Sequence, residues 1–251
     1  MTTTPRLPRP HRSDATTEGR FLRGPSSRTS ELRRAIGIFF EFIMGFRKLH
    51  FVGPCVTVFG SARFPEGHPY YELGRAAGSE LARAGFTVMT GAGPGIMEAA
   101  NRGAKEAGGR SVGCNIELPV EQGANAYLDT VVHFKHFYVR KVMMLKYSYA
   151  FIVLPGGFGT FDEVFETATL IQTGKIEDFP IVLLGTEFWQ PLVDLLRDRL
   201  VAAGTLDASD VDLLYLTDSP SEAVERIRET AMRRFGLTYG PRVKRRWIFG
   251  E

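Results

Sequence analysis

The sequence predicts an α/β protein, a single domain built on a doubly wound, mostly parallel sheet with helices on both faces. Three observations carry this. Short apolar runs such as Cys55-Val56-Thr57-Val58-Phe59 and Tyr149-Ala150-Phe151-Ile152-Val153 have the β-branched and aromatic content of strands buried on both faces. Segments of helical periodicity alternate with such runs, as strand–helix–strand units require. Three of the runs end in small or glycine-rich turns, and two of these turns open directly into helices.

Composition narrows the class. The chain has 251 residues, enough for one large domain, with 44% hydrophobic and 24% charged residues. Its net charge of +3 is uneven: residues 1–30 hold six Arg against one Asp and one Glu. The remainder is close to −1 and lacks the basic character of a nucleic-acid binder. No apolar run is long enough to cross a bilayer; Ala35–Phe46 is short and interrupted by Glu41. There is no signal-peptide core, so a cytoplasmic location without membrane partners is expected. Cys55 and Cys114 are then expected to be buried, reduced thiols.

Taken in order, residues 1–29 are rich in Pro, Arg, Ser and Thr and are expected to form a disordered basic tail. Ser30 suits an N-cap for a helix from Glu31 to Leu49. Ile36, Phe39, Phe40, Ile43 and Phe46 recur on it at helical spacing, widened by Phe42. That stripe is expected to pack on its own domain first and on a second subunit otherwise. From 50 to 236 strands and helices alternate without repeat or linker. Strands are expected at Cys55–Phe59, Phe86–Thr90, Ser111–Leu118, Thr130–Phe134, Tyr149–Leu154, Ile181–Leu184 and Leu213–Leu216. Helices are expected at Tyr70–Ala84, Ile96–Ala107, Phe137–Tyr147, Phe161–Ile171, Phe188–Ala202 and Ser221–Phe235, the last capped by Ser219 or Ser221. Residues 237–251 read as a basic C-terminal tail.

Ligands of an open parallel sheet bind outside the carboxyl ends of its strands. Gly60-Ser61, the turn from Gly91 through Gly93 to Gly95, and the turn Gly156-Gly157-Phe158-Gly159-Thr160 fall at three such ends. Glycine lets backbone amides approach a ligand, and a helix opening there adds free N–H groups and a positive dipole end. One phosphate suits these turns. A P-loop is absent, and the dinucleotide fingerprint fails because Ile96 stands where its third glycine belongs; Glu117, near the ribose-binding position, keeps that reading as an inferior option. Glu98 and Glu163 each lie early in a helix opened by glycines. A carboxylate in a first turn is often only a dipole partner, but two at one sheet edge suggest chemistry. Asn101 is one turn on from Glu98 and is expected to face the same cleft. Arg140 and Lys141 sit in a helix apolar nearly all round, where an Arg needs a partner. His133 and His136 have no further ligands near them in sequence, so no metal is expected. A decarboxylase would need a pyridoxal-binding lysine; Lys141 and Lys146 are available, but such helical lysines ordinarily reach outward.

The segments Thr90-Gly91-Ala92-Gly93-Pro94-Gly95-Ile96-Met97-Glu98-Ala99, Phe137-Tyr138-Val139-Arg140-Lys141 and Pro155-Gly156-Gly157-Phe158-Gly159-Thr160-Phe161-Asp162-Glu163 resemble the LONELY GUY family of cytokinin riboside 5′-monophosphate phosphoribohydrolases, long mislabelled as lysine decarboxylases. The family pattern Pro-Gly-Gly-x-Gly-Thr-x-x-Glu is complete at 155–163; Ala92 departs from the glycine usual there. The chain is longer than the short members. The resemblance implies a Rossmann-like domain over 50–236, no cofactor, and a homodimer or higher homo-oligomer. It implies a nucleoside 5′-monophosphate substrate, hydrolysed at its N-glycosidic bond to free base and ribose 5-phosphate. Arg140 and Glu163 match the catalytic pair. Gly60, Ser61, Gly93, Gly95, Met97, Glu98, Asn101, Lys141, Gly156, Gly157, Gly159 and Thr160 would bind substrate. A plain AMP nucleosidase and a non-catalytic nucleotide-binding protein remain the alternatives.

Overall fold

The computed structural model describes residues 16–118, 123–177 and 179–235. Residues 1–15 of the tail expected at 1–29, and the tail expected at 237–251, lie outside them. Seven strands form one sheet: β1 Cys55–Phe59, β2 Thr87–Thr90, β3 Ser111–Ile116, β4 Thr130–Phe134, β5 Ala150–Val153, β6 Ile181–Leu184 and β7 Leu214–Thr217. Every pairing is parallel, in the order β4-β3-β2-β1-β5-β6-β7. The seven expected strands are all present: β1, β4 and β6 with the expected bounds, β2, β3 and β5 trimmed by one or two residues at an end, and β7 shifted by one.

The sheet is buried on both faces because its strands alternate between two cores. From β1, Cys55 and Phe59 join one core and Val56 and Val58 the other; from β5, Phe151 and Val153 oppose Ala150 and Ile152. The second core is closed by α3 (Pro69–Arg83), α4 (Ile96–Glu106) and α9 (Pro220–Phe235), through Ala77, Leu81, Ala100, Val224 and Ile227. The first is closed by α5 (Phe137–Lys146), α6 (Phe158–Gln172) and α7 (Thr186–Leu195), through Val139, Met143, Val164 and Trp189. The strand order reverses beside β1, between β2 and β5, which places the ligand crevice of a doubly wound sheet at the carboxyl ends of β1 and β5. Cys55 and Cys114 are free and buried, and burial pushes both thiols up, so they stay protonated.

The N-terminal region departs from expectation. Residues 16–29 are structured: α1 spans Thr17–Phe21, and α2 runs Arg28–Leu49, capped by Ser27 rather than Ser30. Helix α2 buries Glu41, Gly45 and Leu49, which recur every four residues. The stripe of Ile36, Phe39, Phe40 and Ile43 faces outward, 37–61% exposed; only Phe42 and Phe46 pack against the core. A short helix α8, Ala208–Val211, was not expected; Asp207 and Asp210 close a capping box on it. The helix expected to end at Ala202 changes from α to a π turn over Leu196–Val201. Ser219, not Ser221, caps α9.

Candidate active site

The three turns at the sheet edge are stitched into one floor. The Ser61 N–H donates to the Pro155 carbonyl (3.0 Å), and the Ile96 N–H donates to the Ser61 carbonyl (3.0 Å). Glycine is needed where these turns touch. A Cβ at Gly95, whose φ is +69°, would lie 2.5 Å from the Ser61 carbonyl oxygen; one at Gly60 would lie 2.5 Å from the Ile96 side chain. Ile96 therefore occupies the space into which a dinucleotide-binding helix would draw its third glycine. Asn125 ties the second turn down: its Nδ2 donates to the Ala92 and Gly93 carbonyls, both at 3.1 Å. Ala92 is the only non-glycine residue with positive φ (+67°) among the described residues. A glycine would take that conformation without strain, and Ala92 is the position that departs from the resemblance.

Helix α6 starts at Phe158 with Gly157 as N-cap and no side chain capping it. Thr160 and Phe161 donate to the Gly157 carbonyl (2.9 and 3.1 Å). The amides of Phe158 and Gly159 have no acceptor among the described residues. Space around Gly157 and Gly159 is open, and Phe158 between them is 99% exposed. Thr160 is buried behind Gly156, where any Cβ would strike its side chain. Unpaired amides at an open helix start form an anion site.

In the second turn of α6, Glu163 is 6% exposed. No hydrogen bond from the described residues reaches its carboxylate, yet its oxygens are not sealed from solvent. Burial pushes Glu163 up to about 7; the charges of Arg140 and Lys141 counter this, and those of Glu166 and Asp162 add to it. Arg140 is half-buried on α5. Its Nε donates to the Cys114 carbonyl within β3 (2.8 Å), and its guanidinium and the Met97 sulfur lie where a side chain at Gly91 would be. Burial lowers the Arg140 pKa and the Glu163 charge opposes that fall. The two groups attract each other without an N···O contact inside 4.0 Å. A buried carboxyl raised to about 7 on α6 and a guanidinium tied to the Cys114 carbonyl on α5 thus lie within electrostatic reach of each other.

Glu98 is half-buried in the first turn of α4 and accepts from the Tyr71 hydroxyl (3.0 Å). One expectation needs correction. Asn101 is 0% exposed and does not face the cleft: its Oδ1 accepts from Thr90 (2.6 Å) and Asn125 (3.0 Å), and its Nδ2 donates to Ser111 (2.7 Å). It braces the Gly91–Gly95 turn from below. Lys141 is bonded to both Asp162 oxygens (2.9 Å) and to Glu166 (2.6 Å), and its charge also acts on Glu163. Burial alone would lower its pKa, but those two carboxylates raise it. Tyr71 and Asn125 were missed. No local pattern marks either, because each acts on a residue more than 20 positions away. Among the described residues no cluster of His, Cys, Asp and Glu could hold a metal. No described helix is long and apolar enough to cross a membrane.

A family model described as "Possible lysine decarboxylase" matches residues 97–227. A protein of Oryza sativa subsp. japonica named probable cytokinin riboside 5′-monophosphate phosphoribohydrolase is 36% identical over 91 residues, 36% of this chain. That match spans only 36% of the relative's own length. Among solved structures, the structural-genomics target TM1055 aligns with TM-score 0.55 at 26% identity, covering 70% of this chain and 99% of that one. The molybdenum cofactor carrier protein of Chlamydomonas reinhardtii aligns with TM-score 0.52 at 22% identity, covering 71% and 98%; this likeness concerns the fold alone.

Proposed function

The chain belongs to the LONELY GUY family, whose model carries the description "Possible lysine decarboxylase", and from that membership we propose that it hydrolyses the N-glycosidic bond of a nucleoside 5′-monophosphate. The substrate class is adenosine 5′-monophosphate, plain or N6-prenylated. The observation that carries the reading is Glu163, a buried carboxylate held near neutrality opposite Arg140 and beside the open start of α6.

The chemistry follows from the charges. As the bond between C1′ and the base nitrogen breaks, the bonding pair leaves with the base and the sugar becomes oxocarbenium-like. Glu163 stabilises that cation and orients the water that attacks C1′, by analogy with glycosidase carboxylates. The water's hydroxyl stays on the sugar, and its proton balances the charge of the departing base. Arg140 stabilises the base as it leaves and favours ionised Glu163. The amides at Gly157, Phe158 and Gly159 hold the 5′-phosphate, and Glu98, oriented by Tyr71, accepts from the ribose hydroxyls. The cell compartment is proposed to be the cytoplasm, and self-association is proposed from the resemblance and from the uncovered apolar face of α2.

Incubation with AMP and with isopentenyladenosine monophosphate, followed by detection of free base, tests the reading. Release from one or both is expected, and the ratio of kcat/KM separates a cytokinin-activating enzyme from a plain AMP nucleosidase. Binding of AMP without release would make the protein a nucleotide carrier. Glu163→Ala should abolish release while nucleotide binding persists; retained turnover removes Glu163 from its role.

A further inference from the structure

Helix α5 carries Arg140, yet its own sequence does nothing for its first turn. His136 is the N-cap residue but makes no side-chain cap bond, and no acid occurs in the first turn. An unfilled helix start leaves amides without acceptors. Here the acceptors come from the N-terminal extension. Glu41 of α2, only 8% exposed, accepts from the Lys135 amide (2.7 Å) and the His136 amide (3.1 Å) with Oε1. Its Oε2 meets the His136 ring Nδ1 at 2.7 Å. Glu18 of α1 takes the next amide, that of Phe137, at 3.1 Å. One turn further along α2, Gly45 allows the two helices to close: a Cβ there would lie 3.0 Å from the Met143 sulfur. Arg140 lies between these two anchor points on α5, and its amide donates to the His136 carbonyl (3.2 Å).

A carboxylate placed mid-helix and buried is costly unless polar partners surround it, and this one has two backbone amides and the His136 ring nitrogen against it. All three belong to the residues that launch the Arg140 helix. We propose that Glu41 is a positioning residue for Arg140, so that the N-terminal extension, outside the region matched by the family model, forms part of the working site. This rests on the proposed hydrolysis.

The test uses the full chain with Glu41→Ala, Glu41→Asp and Glu41→Gln. Misplacing a catalytic group by an ångström costs on the order of 100-fold in rate, so Glu41→Ala should lower kcat for AMP at least tenfold (roughly 1.4 kcal/mol). KM should stay within about threefold, because nucleotide is held mainly by the α6 amides. Glu41→Gln keeps an oxygen for the two amides and should recover most of kcat, which a general loss of stability would not produce. If Glu41→Ala does not fold, Glu41→Asp is read the same way, since it keeps the charge but withdraws the carboxylate by one carbon. Wild-type kcat in either folded variant overturns the proposal. Hydrogen exchange separates its failure from that of the hydrolysis reading. If the wild-type chain releases no base, hydrolysis fails alone. The positioning role is then read from the amides of residues 137–140, where faster exchange in Glu41→Ala supports it and unchanged exchange overturns it.

Discussion

At the residue scale, Glu163 sets function against stability. Its carboxyl titrates near 7 in the folded chain because burial outweighs the attraction of Arg140 and Lys141. In the unfolded chain it returns to the ordinary range near 4.3. The folded state therefore holds the extra proton between these values, and the stability it confers is complete below the lower one. That stability is lost as pH rises through about 7. Removing the charge should give it back. Glu163→Gln is expected to match wild type at pH 4 and to exceed it by roughly 3 kcal/mol at pH 8. Denaturant midpoints measured at both pH values check this, and an equal offset at both would refute the burial argument. The closeness of Arg140 and Glu163 fits the sequence expectation, because each sits in a short motif whose neighbours fix its setting. Asn101 was misread because proximity along a helix does not say which face a side chain takes. It points to Thr90 and Ser111. The role of Glu41 could not be read at all, since its nearest partner in sequence is 94 residues away.

At the element scale, α3 and α4 touch backbone to backbone, and this sets where Glu98 sits. A Cβ at Gly103 would run into the Arg75 carbonyl, and one at Gly78 into the Ala100 carbonyl. The tight contact brings Tyr71 of α3 within reach of Glu98 on α4. Gly103→Ala forces the helices apart and should cost about 3 kcal/mol, the upper part of the usual range for overpacking. Gly37 offers a control of opposite sign. It lies inside α2 with an ordinary φ, and a methyl group added there would meet nothing within 4 Å. There Gly→Ala should stabilise by roughly 0.5–1 kcal/mol, through helix propensity alone. Urea midpoints of the two variants should move in opposite directions; a Gly103→Ala variant as stable as wild type would contradict the contact. Strands were easier to foresee than helix ends. An apolar run between turns marks a buried strand, whereas the starts of α2 and α6 depend on which residue supplies the cap. Ser27 displaced Ser30 in α2, and in α6 the glycines themselves joined the first turn.

At the scale of the whole molecule, strand number was legible but strand order was not, because alternation says nothing of which strands become neighbours. The same limit applies to apolar stripes, which do not say whose core they enter. Helix α2 shows this. It turns Glu41, Gly45 and Leu49 inward and leaves Leu32, Ile36, Phe39, Phe40 and Ile43 on the opposite side, exposed by 37–63%. The Phe39 and Phe40 rings lie edge to face at 5.7 Å on that side. A contiguous aromatic and aliphatic face of this kind marks an association surface more often than open solvent. Its proposed occupant is the α2 of a second copy, because a self-complementary apolar face is what a two-fold interface needs. Light scattering should then give a mass at least twice the 27.9 kDa of one chain. Replacing Phe39 and Phe40 together by Glu places charge in the interface without touching the inward side of α2. That variant should fall to a smaller mass, with its far-UV circular dichroism unchanged. A wild-type protein that scatters as a single chain, or a double variant that keeps the wild-type mass, would remove the α2 face from the assembly.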